Sequence, residues 1–500
     1  MLFWKYLYRL NLECNLTHKY GFVMFLLAGL AVAFFLRYAP LIPNDDAYIT
    51  YRHALNFVQG HGMVFNPGDR LLVTTSPLHM LVLSGIGLFI TDIPKAALVL
   101  GGLASYLLVI HIYLTCYRFG YPLPGLIAAT LIITNPWPYL VLPLETVITS
   151  SLMMMFFYYA YGRRAILTGL LAGLAFLSRM DSVVLIGLVF GAYLIFRQKR
   201  QRVIVSALIF FGIVFAWLAF STIYYGSPFP TTLGAKSGYA GNWLTFVNRL
   251  WPVMRGIYVG SESLTGVLVA LSCIGGVAVV LQRNWLSVLF AWGGLYVFAY
   301  SALQLAFAHA WYYFPLTLLV LVFASVGIYT LASLPFLRLV AHSGGMDWEV
   351  VRQFGVGTLG LIMLVFQINF AWQYADALRT NIYTLPRLES YWQIAEWLEE
   401  TTPPNATVAM HEIGIIGYYS ERYVIDFLGL ATPGTERQPD LADFEQYQPD
   451  YVVMVSADGN ASPPALPAIL VLDGVAIDSY QLLYESTVPY HRAGVYGQTP

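Results

Sequence analysis

Long apolar stretches follow one another through the first three quarters of this 500-residue chain. A helix needs roughly 20 apolar residues to cross the hydrocarbon core of a bilayer. The hydrophobic share of 58% and the charged share of 11% exclude an ordinary soluble enzyme and a disordered chain. We therefore predict a mostly α polytopic membrane protein with about eleven spans. The candidate spans are residues 20–39, 95–116, 122–141, 147–161, 165–178, 182–196, 203–225, 264–281, 285–307, 311–333 and 353–373.

The orientation of these spans follows from Lys and Arg, which accumulate in cytoplasmic loops. The densest basic patch, residues 197–202, reads Arg-Gln-Lys-Arg-Gln-Arg. With the N-terminus inside, this patch is cytoplasmic only if the apolar segment 77–91 does not cross, so we expect a re-entrant or juxtamembrane helix there. Four polar segments then share the outer face of the membrane. They are residues 40–76, 135–146, 226–263 and the part of the chain that follows the last span.

That final part has a different composition and predicts a second domain. From Asp376 onward the chain holds 5 Lys or Arg against 17 Asp or Glu, whereas the preceding part holds 21 against 10. A segment with helical periodicity, 388–400, is followed by short β-rich runs at 407–410, 423–425, 451–455 and 468–472. Strands that alternate with helices favour an α/β domain. We predict a transmembrane domain over 1–375 and an extracytoplasmic α/β domain over 376–500.

An acidic doublet opens the first outer segment, in the sequence Asn44-Asp45-Asp46-Ala47-Tyr48. Two adjacent carboxylates beside a membrane are costly to desolvate, so they need cations, hydrogen-bond donors or a proton. Neighbouring side chains on a helix point about 100° apart, which allows one carboxylate to face a cavity while the other supports it. A carboxylate in such a cleft is suited to act as a general base. The alternative is a solvated loop with a helix cap.

The remainder of this loop is compact. Gly60-His61-Gly62, the Asn66-Pro67-Gly68 turn and Thr74-Thr75-Ser76-Pro77 supply turn residues throughout. Taken with the doublet, these motifs resemble the outer loop of the GT-C glycosyltransferases that use polyprenyl-phosphate sugars. The resemblance is nearest to the bacterial group that includes the mycobacterial cell-wall arabinofuranosyltransferases.

Further motifs extend this resemblance over residues 20 to about 455. Motifs similar to those of the group are Leu144-Glu145-Thr146, Ser178-Arg179-Met180-Asp181, Tyr225-Gly226-Ser227-Pro228-Phe229-Pro230, Ala235-Lys236-Ser237-Gly238 and Glu412-Ile413-Gly414 with Gly417-Tyr418-Tyr419, Asp426 and Gly429-Leu430. The chain departs from the group's pattern in having Pro143 before Leu144, Met180 in place of Pro, and Thr231-Thr232 in place of Asn-Thr. These departures concern the donor sugar more than the type of reaction.

The resemblance implies an inverting single displacement with an Asp base in the first outer loop. We carry that role onto Asp45, with Asp46 as supporting partner or alternate. The implied donor is a polyprenyl-phosphate sugar, with arabinofuranose as one candidate, and the implied acceptor is a glycan or lipid-linked hydroxyl. The implied location is the bacterial plasma membrane, among its lipids, in cell-envelope biogenesis. No nucleic-acid partner is expected.

Other charged residues are candidates for substrate binding. Glu145 can hold an acceptor hydroxyl or, with Asp45 or Asp46, a divalent cation; the alternative is an acid favoured at a helix N-terminus. Arg179 and Asp181 lie between two apolar segments, where ionisable residues are functional candidates. Their alternative role is an ion pair that locks the helix bundle.

The remaining candidates lie in outer segments. Lys236, between glycines, suits a lipid phosphate, or it is an ordinary surface lysine. Arg52 lies two helical turns past Asp45 and can pair with it or with the phosphate. His309, next to Trp311, marks a possible sugar-stacking turn, although aromatic residues also form the interface belt. Glu412 belongs to the outer-domain motif and is the last candidate for substrate binding.

Two other functions remain open from the sequence. A transporter or flippase of lipid-linked glycans also needs charges within the membrane, but it is expected to show repeated halves, and we find no internal repeat. A non-catalytic scaffold that binds glycan would tolerate loss of the acidic doublet. The three cysteines, Cys14, Cys116 and Cys273, are too scattered for a disulfide framework or a metal cluster.

Overall fold

We analysed a computed structural model of the chain. It describes residues 21–39, 44–162, 164–195, 200–233, 242–257, 262–304, 309–334, 347–378, 385–435, 444, 446–456, 466, 468–472, 475–486, 488 and 492–498.

Helices dominate the part of the chain that precedes the acidic domain, as the sequence predicts. Within the described ranges, six helices are long and apolar enough to cross a membrane: Gly21–Tyr38, Ile93–Arg118, Arg200–Tyr225, Ser263–Leu281, Ala310–Leu331 and Trp348–Leu378. Shorter helices fill the space between them: Asp45–Val58, Pro77–Gly87, Pro122–Ile133, Pro136–Leu140, Glu145–Ala160, Ala165–Ser178, Val183–Ile195, Thr245–Ile257 and Ser287–Ala302. The count of eleven spans stays a prediction.

The segment that we expected not to cross forms the helix Pro77–Gly87. Its 11 residues rise about 16 Å, roughly half of the 30 Å hydrocarbon core. Pro77 at the helix start has no N–H to lose there, which explains why the helix begins at this residue. Serine, histidine and glycine on its buried face suit packing against other helices. The length agrees with a re-entrant or juxtamembrane helix.

Glycines permit two helices of the bundle to approach each other closely. The helix Glu262–Leu281 packs against Phe314–Leu331. A Cβ at Gly275 would overlap the carbonyl oxygen of Phe323, and one at Gly327 would overlap that of Leu271. Small residues of this kind let two helix backbones approach closely inside a membrane.

The first outer segment is folded, as its turn residues predict. Gly60, Gly62 and Gly68 all have positive φ, between 87° and 97°, a conformation that favours glycine. The side chain of Asn66 is buried, and its amide donates to the carbonyl oxygen of Val424 at 2.9 Å. This loop therefore binds the C-terminal domain directly.

The C-terminal region is a helix and sheet domain. The helix Leu385–Thr401 and the short helix Ile415–Ser420 accompany six strands: β1 Thr407–Met410, β2 Tyr423–Asp426, β3 Tyr451–Ser456, β4 Ile469–Leu472, β5 Val475–Glu485 and β6 Arg492–Gln498. The sheet order is β2-β1-β3-β6-β5-β4. β1 is parallel to β2 and β3, whereas β6, β5 and β4 continue the sheet in antiparallel pairs. Four of the strands were predicted; β5 and β6 were not.

Segments predicted to share the outer face meet one another. Thr231 donates its backbone N–H to the carbonyl oxygen of Leu72 at 3.0 Å and its hydroxyl to that of Leu430 at 2.6 Å. The hydroxyl of Tyr51 donates to the carbonyl oxygen of Pro143 at 2.7 Å. These bonds join the first loop, the segments around residues 143 and 231, and the C-terminal domain at one end of the bundle.

Candidate active site

Asp45 lies where the first outer loop meets the C-terminal domain. Only 7% of the residue is exposed. One carboxylate oxygen accepts the backbone N–H of Gly414 at 3.0 Å, and the other accepts that of Ile415 at 2.8 Å. These N–H groups begin the helix Ile415–Ser420, whose own N-cap residue supplies no side-chain bond. Asp45 therefore caps a helix of the other domain, an arrangement that favours a negative charge.

Glu412 and Arg387 are the charged residues of the C-terminal domain that lie beside Asp45. Glu412 follows β1 at its carboxyl end, which is where parallel strands present ligand-binding residues. Arg387, in the helix Leu385–Thr401, forms an ion pair with Glu412 through Nη2. Its guanidinium also lies over the ring of Tyr391, 5.3 Å from the centroid. We call Asp45, Asp46, Glu412 and Arg387 the carboxyl cluster.

Burial controls the protonation of the carboxyl cluster. It raises the pKa of Asp45 from 3.8 to about 7, and the neighbouring Glu412 carboxylate raises it further, against the opposing effect of Arg387. Burial also raises the pKa of Glu412, and Asp46 adds to that effect. Asp45, which is buried beside the Glu412 carboxylate, therefore binds and releases a proton near neutral pH. A group that gains and loses a proton near pH 7 is suited to general base catalysis.

Aromatic rings line the contact beside this cluster. The ring centroid of Tyr48 lies 5.4 Å from that of Tyr418 and 5.7 Å from that of Tyr419. Tyr419 in turn lies 6.3 Å from Trp392, which is 44% exposed. The motif Gly417-Tyr418-Tyr419 thus packs on the helix that carries Asp45. Aromatic faces of this kind can bind a sugar ring while the contact excludes water.

Arg52 has a different environment from the one expected. We expected it to pair with Asp45 or with a phosphate, but its guanidinium is 2% exposed and donates to protein oxygens. The acceptors are the carbonyl oxygens of Phe65, Gly417 and Arg422 and the side-chain oxygen of Asn66. Buried arginines in such networks hold backbone segments together, so Arg52 joins the loop to the C-terminal domain.

Glu145 and Arg179 meet inside the helix bundle. Arg179 Nη1 donates to Glu145 at 2.8 Å, and Nη2 donates to Asp181 at 3.0 Å. The hydroxyl of Tyr300 donates to Asp181 at 2.5 Å, and that of Tyr296 lies 3.4 Å from the same oxygen. We call these five residues the arginine clasp. The expected pairing of Glu145 with Asp45 or Asp46 around a cation is not formed, because Glu145 faces Arg179.

No metal site is assembled in the described part of the chain. There, no group of three or more His, Cys, Asp or Glu side chains is placed to hold a metal ion. Cys116 is buried and Cys273 is exposed, and both are free.

The predicted residue His309 lies at the edge of this region. His309 stacks on Trp311, with ring centroids 4.4 Å apart. The neighbouring Tyr312 ring lies 5.1 Å from the guanidinium of Arg179. The turn that contains His309 therefore adjoins the arginine clasp. Lys236 falls outside the described residues.

A narrow cavity extends from the arginine clasp into the bundle. Its outer part is lined by Thr146, Arg179, Trp292, Tyr296 and Trp311. The hydroxyl of Thr146 and the indole N–H of Trp292 are buried and have no partner among the described residues. An adjoining apolar part shares Ser150, Met153, Trp292 and Pro315 with it and is further lined by Ile112, Leu185, Leu289, Leu319 and Val322. Both parts are small, with room for little more than one water molecule each.

The sequence interpretation missed Arg387. Its neighbours, Pro386 and Leu388, belong to no motif that we identified, and its partner Glu412 lies 25 residues further along the chain. The available signal was indirect: the motif Glu412-Ile413-Gly414 placed a carboxylate in a region predicted to face the acidic doublet. A cation near those carboxylates could have been expected on electrostatic grounds alone.

Comparisons with known proteins agree with this fold. A family model described as "Domain of unknown function (DUF8728)" matches residues 377–495. No curated protein sequence matches the chain. Among solved structures, ArnT from Cupriavidus metallidurans in the apo state is similar with a TM-score of 0.59 at 12% identity, over 96% of this chain and 98% of that one.

Two further structures show the same similarity. ArnT from the same organism bound to undecaprenyl phosphate has a TM-score of 0.58 at 13% identity, over 95% of this chain and 98% of that one. Archaeal oligosaccharyltransferase AglB from Archaeoglobus fulgidus, in complex with an inhibitory peptide and a dolichol-phosphate, has a TM-score of 0.58 at 13% identity, over 87% of this chain and 69% of that one. These matches show that the chain shares the fold of ArnT and AglB, which agrees with the fold predicted from the sequence.

Proposed function

We propose that this protein transfers a sugar from a polyprenyl-phosphate donor to an acceptor hydroxyl on the outer face of a bacterial plasma membrane. One observation carries the proposal: in a GT-C fold, the carboxyl cluster brings Asp45 of the first outer loop against Glu412 of the C-terminal domain. The carrier lipids in the ArnT and AglB structures support a lipid-linked donor.

The chemistry is a single displacement. The acceptor oxygen attacks the anomeric carbon, the bond from that carbon to the phosphate oxygen breaks, and the configuration inverts. The hydroxyl proton passes to a carboxylate of the cluster, Asp45 in our assignment with Asp46 as support or alternate. The prenyl phosphate departs with its electron pair as an anion, so it needs cations and no proton donor.

Asp45 retains the capacity for this role despite its backbone bonds. An ionised carboxylate offers about four lone-pair positions, and Gly414 and Ile415 occupy two of them. The two backbone bonds fix the carboxylate in place, and preorganisation of that kind is what a general base needs. The proton it accepts can then leave through the more exposed Glu412, whose side chain is 38% accessible.

The donor phosphate and the acceptor need separate binding groups. We assign the phosphate to Lys236 and to the outer part of the cavity beside Arg179, where the Thr146 hydroxyl and the Trp292 N–H can donate. The prenyl chain would lie in the adjoining lipid, because the apolar part of that cavity has room for little more than one water molecule. We assign Arg52 to the joint between the domains and Glu145 to the arginine clasp. His309 and Glu412 remain candidates for contacts with a sugar.

A donor panel tests the proposal. The full-length protein in lipid nanodiscs is incubated with prenyl-phosphate pentoses, arabinofuranose among them, and prenyl-phosphate hexoses, each with oligosaccharide acceptors. We expect release of prenyl phosphate coupled to a new glycosidic bond for at least one donor. Movement of intact lipid-linked glycan across a liposome membrane, without any bond cleavage, would instead support the transporter.

A further inference from the structure

Among the described residues, one cation faces carboxyl groups from two domains. Arg387 lies in the first turn of the helix Leu385–Thr401, and its guanidinium pairs with Glu412 and covers the ring of Tyr391. Glu412 adjoins Asp45, which belongs to the first outer loop. From the C-terminal domain, the positive charge of Arg387 thus opposes the effect of Glu412 on Asp45.

The groups that face Asp45 come from three elements. Asp46 lies on its own helix, Glu412 follows β1, and Arg387 with Tyr391 lies on the helix Leu385–Thr401. Three carboxyls and one guanidinium would carry two excess negative charges if all were ionised. Arg387 is the cation that opposes this repulsion, so its removal makes ionisation of the cluster harder.

Arg387 differs in this respect from the other arginines at the domain contact. Arg52 and Arg422 donate to backbone carbonyl oxygens, as residues that hold a fold together do. The partners of Arg387 are a carboxylate and an aromatic ring. Its side chain is also 26% accessible, so it lies at the open side of the cluster.

We propose that Arg387 is a positioning residue for sugar transfer: its positive charge, held beside Asp45 by the ion pair with Glu412, keeps Asp45 able to lose its proton under working conditions. This inference rests on the function proposed above. It assigns a role to the C-terminal domain, which supplies the charge that makes the base of the first outer loop available.

The pH dependence of transfer tests this role. Arg387→Gln and Arg387→Lys are compared with the wild type in nanodiscs between pH 5.5 and 9. We expect the acidic limb of kcat/KM to move to higher pH by about one unit for Arg387→Gln and by less for Arg387→Lys, because removing a nearby opposite charge raises a carboxyl pKa by roughly 1–3 units. The rate of Arg387→Gln should recover at high pH.

Two further variants test whether a shift of the acidic limb comes from the charge of Arg387. Glu412→Gln removes a like charge beside Asp45 and should move the acidic limb in the opposite direction, to lower pH. Arg352→Gln, which breaks the ion pair with Glu349 far from the cluster, should leave the profile unchanged. A loss of rate that is the same at every pH, or an unmoved limb, overturns the inference.

A second measurement needs no substrate. Hydrogen exchange at Gly414 and Ile415, corrected for its intrinsic pH dependence, reports the ionisation of Asp45 because Asp45 accepts both N–H groups. Its midpoint should rise in Arg387→Gln. If the wild type transfers no sugar while this midpoint still rises, the proposed function fails and the electrostatic role of Arg387 stands. If transfer occurs and the midpoint does not move, the inference fails alone.

Discussion

Two groups of charges in this molecule have nearly the same composition and very different surroundings. The carboxyl cluster and the arginine clasp each place one arginine among acidic side chains. In the clasp, Arg179 lies between Glu145 and Asp181, and Tyr300 donates a further bond to Asp181. In the cluster, Arg387 reaches Glu412, while Asp45 relies on two backbone N–H groups.

The two groups differ in how completely cations and hydrogen-bond donors compensate the negative charge of their carboxylates. The clasp satisfies its carboxylates with a direct ion pair and with hydroxyl donors, which stabilises one arrangement of the helices. The cluster leaves excess negative charge around the buried Asp45 at the domain contact, so Asp45 gains and loses a proton near neutral pH. The same residue types therefore stabilise the helix bundle in the arginine clasp and favour proton transfer in the carboxyl cluster.

Asp45→Asn should cause the largest loss of sugar transfer with the least change in stability. The amide cannot accept the acceptor's proton, so transfer should fall by about 10²–10⁴-fold, the usual contribution of a general base. The unfolding temperature should stay close to that of the wild type, since the amide oxygen still accepts one backbone N–H. Initial rates and thermal unfolding on the same preparation check both parts. A normal rate in Asp45→Asn would shift the role of base to Asp46.

Arg179→Gln should show the reverse pattern. It leaves two buried carboxylates without their cation, which costs about 3–5 kcal/mol in the free energy of unfolding. Thermal unfolding in detergent should show a lower midpoint, with Arg179→Lys intermediate. If the midpoint holds while transfer disappears, Arg179 contacts the substrate and the clasp is part of the active site.

Gly414→Ala tests the contact between the domains without changing a charge. A Cβ at this position would overlap the carbonyl oxygen of Asp45, so the two domains must separate slightly. A displacement of about 1 Å at the reacting groups lowers rates by roughly 10–100-fold. Gly357→Ala, whose Cβ would meet no atom within 4 Å, is the matched control. Equal rates for the two variants would show that the domain contact is not needed.

As pH rises, the rate of sugar transfer should increase while the contribution of Asp45 to the free energy of unfolding decreases. Asp45 has its pKa raised from 3.8 to about 7 by burial, so the folded state binds a proton that the unfolded state has lost over this range. This contribution to stability is complete below pH 3.8 and declines as pH rises toward 7. Transfer should rise about tenfold between pH 6 and 8 as Asp45 ionises. Parallel trends in the two measurements would contradict the assignment.

The smallest effect is expected at His309→Ala. This residue stacks on Trp311 at the edge of the arginine clasp. Loss of one aromatic contact should raise KM by about twofold and leave kcat unchanged. Steady-state kinetics with the preferred donor check this split. A large fall in kcat would place His309 at the reacting atoms.

The sequence predicted those parts of the fold that repeat a local pattern. Apolar stretches predicted the helical bundle, and short β-rich runs predicted β1 to β4. β5 and β6 were missed because a register shift between Leu482 and Tyr484 interrupts the alternation in β5, and because β6 contains Gly494 and Gly497. Glycine has a low strand propensity. A Cβ at Gly494 would crowd Leu466 and Leu482, so packing explains what propensity does not.

The site was predictable only in part for a similar reason. The doublet Asp45-Asp46 and the motif around Glu412 carry local patterns, which drew attention to both. Their contact joins Asp45 to Gly414 across 369 positions of the chain, and no local pattern encodes it. Arg52 was predicted as a ligand for phosphate. Its actual partners, the carbonyl oxygens of Gly417 and Arg422, lie far along the chain, so no local pattern indicated them.

The most direct test of the account is sugar transfer by the double variant Asp45→Asn, Asp46→Asn. The donor is the prenyl-phosphate sugar that the wild type uses best, and the product is the new glycosidic bond, measured at pH 8 in nanodiscs. We predict no transfer above background by a protein that unfolds at the wild-type temperature. Transfer at the wild-type rate would show that the acidic doublet has no part in the reaction.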